Sequence, residues 1–188
     1  DAASLAGGEV PREALDASRA PSFSGRSALL ETMQGLEAES LALRSQLMFP
    51  AVVSAFDSAA GVHATATLAA CSANGYNVTA TVVDRAGTVR AVQRADNAGP
   101  HTIGASLQKA YTSASAKNTT TAMLETSQKF PGAATLGDIP GFLLLGGGVP
   151  VKVGNEVIGA VGVGGAPGGH LDEQCAMAAL EKVKDMLK

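Results

Sequence analysis

The sequence predicts an α+β fold: one antiparallel sheet of about five strands with helices gathered around it. Two observations carry that prediction. Alternating, β-branched segments occur in pairs joined by short turn sequences, Asp84-Arg85-Ala86-Gly87 in one pair and Gly154-Asn155 in the other, which is how hairpins are written. Apolar residues at helical spacing precede, separate and follow those pairs.

Taken in order, Leu29, Met33, Leu36, Ser40, Leu43 and Leu47 step by four and three, one narrow seam on a helix expected over 27–48. Pro50 is expected to interrupt and open a second helix reaching Ala73, with a stripe of Val53, Phe56, Ala60, His63, Thr67 and Ala70. Asn74-Gly75 ends it. Tyr76 to Val83 alternates as a strand with one buried face, and Thr88 to Arg94 returns beside it. Thr102 is a suitable N-cap for a helix through Ile103, Leu107, Ala110, Tyr111 and Ala114, and a further helix is expected from Thr119 to Lys129. Phe142 to Leu145 is expected as a short buried strand, ahead of the hairpin Val149–Val153 and Glu156–Val163. Leu171, Cys175, Ala179, Leu180, Val183 and Leu187 line the last helix.

The glycine-dense stretch from Gly146 to the last helix raises dinucleotide binding, but no G-x-G-x-x-G can be read across Gly162 to Gly169. No glycine there precedes Lys and Ser or Thr, so a phosphate-binding P-loop is excluded too. Gly159 and Gly162 fall on opposite faces of their strand, where a ligand or another backbone has to approach.

At 188 residues, 46% hydrophobic and net charge −3, the chain is expected to be one globular domain over 26–188 after a flexible segment 1–25. Its lysines and arginines are scattered, which disfavours nucleic acid, and no apolar run is long enough to span a membrane. Cys71 and Cys175 lack zinc-ligand spacing; they either pair in an oxidising compartment or serve as buried small hydrophobes. No nucleophile elbow, shared-loop carboxylate pair or metal-binding histidine spacing points to a conventional enzyme.

The runs VVDRAGTVRAVQRADNAGPHT, KAYTSASAKNTTTAML and GGGVPVKVGNEVIGAVGVGGAPGGHLDEQCA occur in an order that resembles the GlcG/HbpS-type haem-binding family. The resemblance covers Pro50 to Lys188 and leaves the leucine-seam helix as an extension. It implies a profilin-like fold, a homo-oligomer, and haem binding in the service of haem capture, transfer or sensing, with weak haem degradation or peroxidase-like activity alongside. With Asp1 followed by a polar run to Gly25, as expected after signal-peptide removal or a trim, it also implies a periplasmic or secreted protein.

A haem needs an apolar slot, an axial ligand and cations for its propionates. His101, seven residues after Arg94 and eight before Lys109, is the expected ligand with those two cations beside it; the alternative is a loop histidine that starts the helix. His63 is the other candidate ligand, set against a core or interface role. Thr120 matches the threonine that recurs after the family's K-A-x-T-A run and is expected at the same pocket, unless it caps a helix. Asn118-Thr119 departs from the family's small or proline residue. His170 is read as a helix-start residue and Tyr111 as core. Two other functions compete: a carboxylate held by Arg94 and Lys109, and a ligand-free interaction protein docking through the seam from Leu29 to Leu47.

Overall fold

A computed structural model describes residues 23–187. Most of the expected flexible segment, residues 1–22, lies outside the described residues, while 23–25 belong to the first helix. Two compact units divide between Met48 and Phe49. Among the described residues five α-helices and four strands follow in order: α1 (Phe23–Ser58), α2 (Ala60–Ser72), β1 (Thr79–Asp84), β2 (Val89–Arg94), α3 (His101–Ala116), α4 (Thr120–Lys129), β3 (Gly148–Val153), β4 (Glu156–Gly164) and α5 (Gly169–Val183).

The sheet is antiparallel with strand order β2-β1-β4-β3, so the two hairpins are joined through their central strands. It has four strands, one fewer than expected. Phe142 to Leu145 is not a strand: the Leu143 N–H donates to Thr112 Oγ1 at 2.8 Å, so a side chain of α3 takes a donor that a ladder would need. Pro50 does not end a helix either. A proline removes a single donor from the ladder, and α1 continues through it, the break falling at Ala59. The last helix stops at Val183, giving way to a 3₁₀ turn over Lys184–Leu187.

The turns use the chemistry their residues offer. Asp84 Oδ1 accepts from the N–H groups of Ala86 (2.8 Å) and Thr88 (2.9 Å), and Gly87 takes φ +78° between them. Gly154, at φ +59°, opens the two-residue turn of the second hairpin.

On one face of the sheet α2 and α5 bury Ala64, Cys71, Cys175 and Ala176 against Val78, Ala80, Val82, Ile158, Val161 and Val163. Cys71 and Cys175 are joined in a disulfide, with Cα atoms 5.2 Å apart. Phe56 enters the same core over Gly159, where a Cβ would come within 2.3 Å of its ring.

The opposite face carries α3, and its contact is unusually close and polar. A Cβ at Gly162 would lie 2.0 Å from the Ser106 carbonyl oxygen and 2.5 Å from the Ala110 nitrogen; one at Gly148 would lie 2.3 Å from the Lys109 carbonyl oxygen. The strand glycines thus serve the backbone of a helix. Thr79 meets Thr102 (2.6 Å) and Thr81 meets Ser106 (2.7 Å) through their hydroxyls, all four side chains buried. Pairing satisfies groups whose burial is otherwise costly.

Candidate functional site

α3 begins at His101, with Pro100 at the N-cap position. Thr102 is therefore one residue inside the helix, and its hydroxyl, rather than capping, contacts Thr79 and the Gly99 carbonyl (2.6 Å). His101 is exposed at the mouth of a cleft of about 230 Å³, between the first turns of α3 and the glycine loop ahead of α5. Ala105 and Lys109 continue the same side of α3 inward, one helical turn apart, while Gly164 to Gly169 and Asp172 form the opposing wall.

The floor is an ion pair. Lys109 is 1% exposed and Asp172 2% exposed, with Nζ 2.7 Å from Oδ2. Nζ also donates to the Val163 carbonyl at 2.8 Å, and Asp172 Oδ1 accepts from the Ala166 N–H at 2.9 Å, which ties the glycine loop to the pair. Burial pushes the Asp172 carboxyl above its ordinary range; the Lys109 hydrogen bond and charge, then the amides of Ala166 and Gly165, pull the other way without reversing it. A half-satisfied buried pair is unstable, so this one fixes α3, β4 and the loop to one another.

The expected convergence of Arg94 and Lys109 around His101 is not what the fold builds. The Arg94 guanidinium donates to the backbone carbonyls of Ala98 and Asp96, bracing the loop that leads into His101, and Arg94 is not among the cleft-lining residues. Lys109 lines the cleft with its charge already met by Asp172. This removes the basis for a carboxylate clamped between those two cations. Thr120 is elsewhere: fully buried, its hydroxyl accepts from the Gly148 N–H at 2.8 Å, while Thr119 is the cap of α4. Asp172 is an acid in the first turn of α5, and its partner lies 63 residues away, a separation that leaves no local signal in the sequence.

His63 lies on α2 at 0% exposure, its ring edge-on to Phe56 with centroids 5.1 Å apart. Nδ1 sits 2.9 Å from the Ala59 carbonyl oxygen, which can only accept, so the proton belongs on Nδ1. Nε2 is then a buried lone pair, and no donor reaches it.

On the far side of α3 a second hollow, about 440 Å³, runs between Val89, Leu107, Tyr111, Pro140 and Gly141. Tyr111 is 37% exposed, its ring edge-on to Phe142, so it walls this groove instead of entering the core. His170 sits in the first turn of α5, exposed, as expected of a helix-start residue. Among the described residues no three or more His, Cys, Asp or Glu side chains cluster as metal ligands, and no helix is long and apolar enough to cross a membrane.

A family described as "Haem degrading protein HbpS-like" matches residues 57–181. A crystal structure of a double mutant of HbpS from Streptomyces reticuli is 38% identical, with 64% of this chain and 81% of that one covered at a TM-score of 0.60. The Klebsiella pneumoniae protein ORFY is 31% identical over 67% of this chain and 88% of its own, with a TM-score of 0.57. A PduOC:haem complex shares the fold at 21% identity and a TM-score of 0.57. An uncharacterised 15.0 kDa protein of Citrobacter freundii, from a dhaT-dhaS intergenic region, is 38% identical over 88 residues, 45% of this chain. The chain spans 61% of that relative's length.

Proposed function

The chain belongs to the HbpS-like family, and from that premise we propose that it is a haem-binding protein with His101 as the axial ligand. The observation that supports the reading is the setting of His101: an exposed imidazole at the first turn of α3, at the mouth of the cleft it shares with Ala105, Leu145 and Pro167. The imidazole matches in kind the axial ligand a porphyrin requires, and Ala105, Leu145 and Pro167 give its cleft an apolar side, whereas the groove of Leu107 and Tyr111 lies on the far side of α3. The cations expected for the propionates do not match, since Arg94 and Lys109 are engaged within the chain. The iron porphyrin, when bound, supplies redox and oxygen chemistry; the protein's part is to hold it and limit its exposure to water. The role that follows is haem capture, transfer or sensing, with haem degradation dependent on prior binding. The Cys71–Cys175 disulfide supports action outside the cytoplasm, where such bonds persist.

One observation favours a second ligand assignment. His63 has the arrangement typical of a metal-bound imidazole, Nδ1 fixed by a carbonyl and Nε2 without a partner; reaching it requires the Phe56 side of the core to open.

Titration of the apo-protein with hemin tests both, followed by absorbance, with His101→Ala and His63→Leu in parallel. The expected result is a saturable, shifted Soret band that His101→Ala alters and His63→Leu leaves in place. The reverse pattern transfers the ligand to His63. Free-hemin behaviour in the unsubstituted protein sinks the haem reading.

A further inference from the structure

The family match begins at residue 57, so nearly all of α1 lies outside it. Leu29, Met33, Leu36, Ser40 and Leu43 follow steps of four, three, four and three. That period of 3.5 keeps a seam in line only when helices supercoil about each other, whereas a helix that covers a globular core carries a wider stripe at 3.6. The seam is open to solvent: Leu29 is 58% exposed, Met33 54%, Leu36 60% and Leu43 59%. The apolar faces of α2 and α5 are already buried against the sheet. The occupant that fits such a seam is another helix with the same heptad, and a second copy of this chain brings one.

We infer that residues 29–47 pair with the same segment of a second copy as a parallel, in-register, two-stranded coiled coil. In the heptad, Leu29, Leu36 and Leu43 all fall at d, with Met33 and Ser40 at a. Leucine at d suits two strands. Parallel pairing in register stacks each layer on itself, so Ser40 meets Ser40 and the two hydroxyls bond to each other. Antiparallel pairing sets that hydroxyl against leucine, where it loses its partner. The flanking positions agree in charge: the sequence has Glu39 at g and, five residues on, Arg44 at e, opposite charges at the spacing that faces across a parallel pair.

Cysteine crosslinking and sedimentation of the full-length protein test this independently of haem. Ser40→Cys places a thiol in the seam, and Ala38→Cys places one on the outer f position. On mild oxidation the first is expected to link chains in pairs and the second to leave them single. Leu36→Lys is expected to halve the sedimenting mass while far-UV circular dichroism keeps the signature of the α+β domain. No crosslink at Ser40→Cys, equal crosslinking at both positions, or a mass that Leu36→Lys does not move overturns the inference. Should Leu36→Lys fail to fold, the cysteine pair decides alone, because neither cysteine introduces charge.

Discussion

Gly162→Ala on β4 and Gly104→Ala on the outer side of α3 make the same chemical change in two packed elements, with opposite expected signs. At Gly162 the new Cβ falls 2.0 Å from the Ser106 carbonyl oxygen, 2.5 Å from the Ala110 nitrogen and 2.9 Å from the Ala110 Cβ. Comfortable separation for such pairs is about 3.5 Å. Two of the three obstacles are backbone, so no side chain can swing aside and α3 itself must lift by roughly 1.5 Å. Lifting α3 stretches the Thr79–Thr102 and Thr81–Ser106 hydroxyl pairs. Overpacking costs about 1–3 kcal/mol and two weakened buried hydrogen bonds add about 0.5–1.5 kcal/mol each, so Gly162→Ala is expected to lose roughly 2–6 kcal/mol. Gly104 sits inside the same helix with nothing near its would-be Cβ; alanine there is expected to gain about 0.5–1 kcal/mol by lowering backbone entropy in the unfolded chain. Urea unfolding of both variants measures the gap. If the two unfolding free energies lie within about 1 kcal/mol of each other, the close seating of α3 on β4 is not what Gly162 is for, and the location of the cleft loses its explanation.

Two further outcomes follow from the bonds that brace the domain. Replacing Cys71 and Cys175 by alanine is expected to lower stability by about 4–5 kcal/mol, because the bond closes a loop across a sequence separation of 104; equal urea midpoints with and without reductant would show that the cysteines are not paired. Asp172, whose folded pKa is raised by burial, releases its proton less readily in the folded state than in the unfolded chain. Its ionisation therefore costs the folded state more as pH climbs from the ordinary value of 3.8 through the raised one. Asp172→Asn lacks that titration. Its stability deficit, set by an unpaired Lys109, is expected to be largest at the acid end of that window and to shrink as pH rises, and unfolding midpoints that track each other at every pH refute the raised pKa.

What could be read from the sequence was local. Asp84 to Gly87 and Gly154-Asn155 carry their own turn chemistry, so both hairpins were legible, and the leucine steps of α1 needed only counting. Phe142 to Leu145 misled because a short apolar run bounded by glycine has the composition of a strand, while its fate was decided by Thr112, about 30 residues earlier. The seating of α3 was half legible: Gly159 and Gly162 announced close approach on opposite faces, yet whether a ligand or a helix approached depended on tertiary packing. The position of His101 at the start of α3 was legible because a loop followed by a helical period is a sequence feature. The engagement of Arg94 with the Ala98 carbonyl and of Lys109 with Asp172 was not, since scattered charges in a sequence do not say which of them are already spoken for.

The bond between Cys71 and Cys175 makes a covalent ring of everything between α2 and α5, all four strands included. Within that ring lies the stretch from Phe130 to Leu145, made of short 3₁₀ turns and loops and largely exposed, the kind of segment proteases choose. A cut there leaves two polypeptides that still travel as one molecule until a reductant separates them. Outside the cytoplasm, such a nick changes the number of chain ends without releasing a fragment.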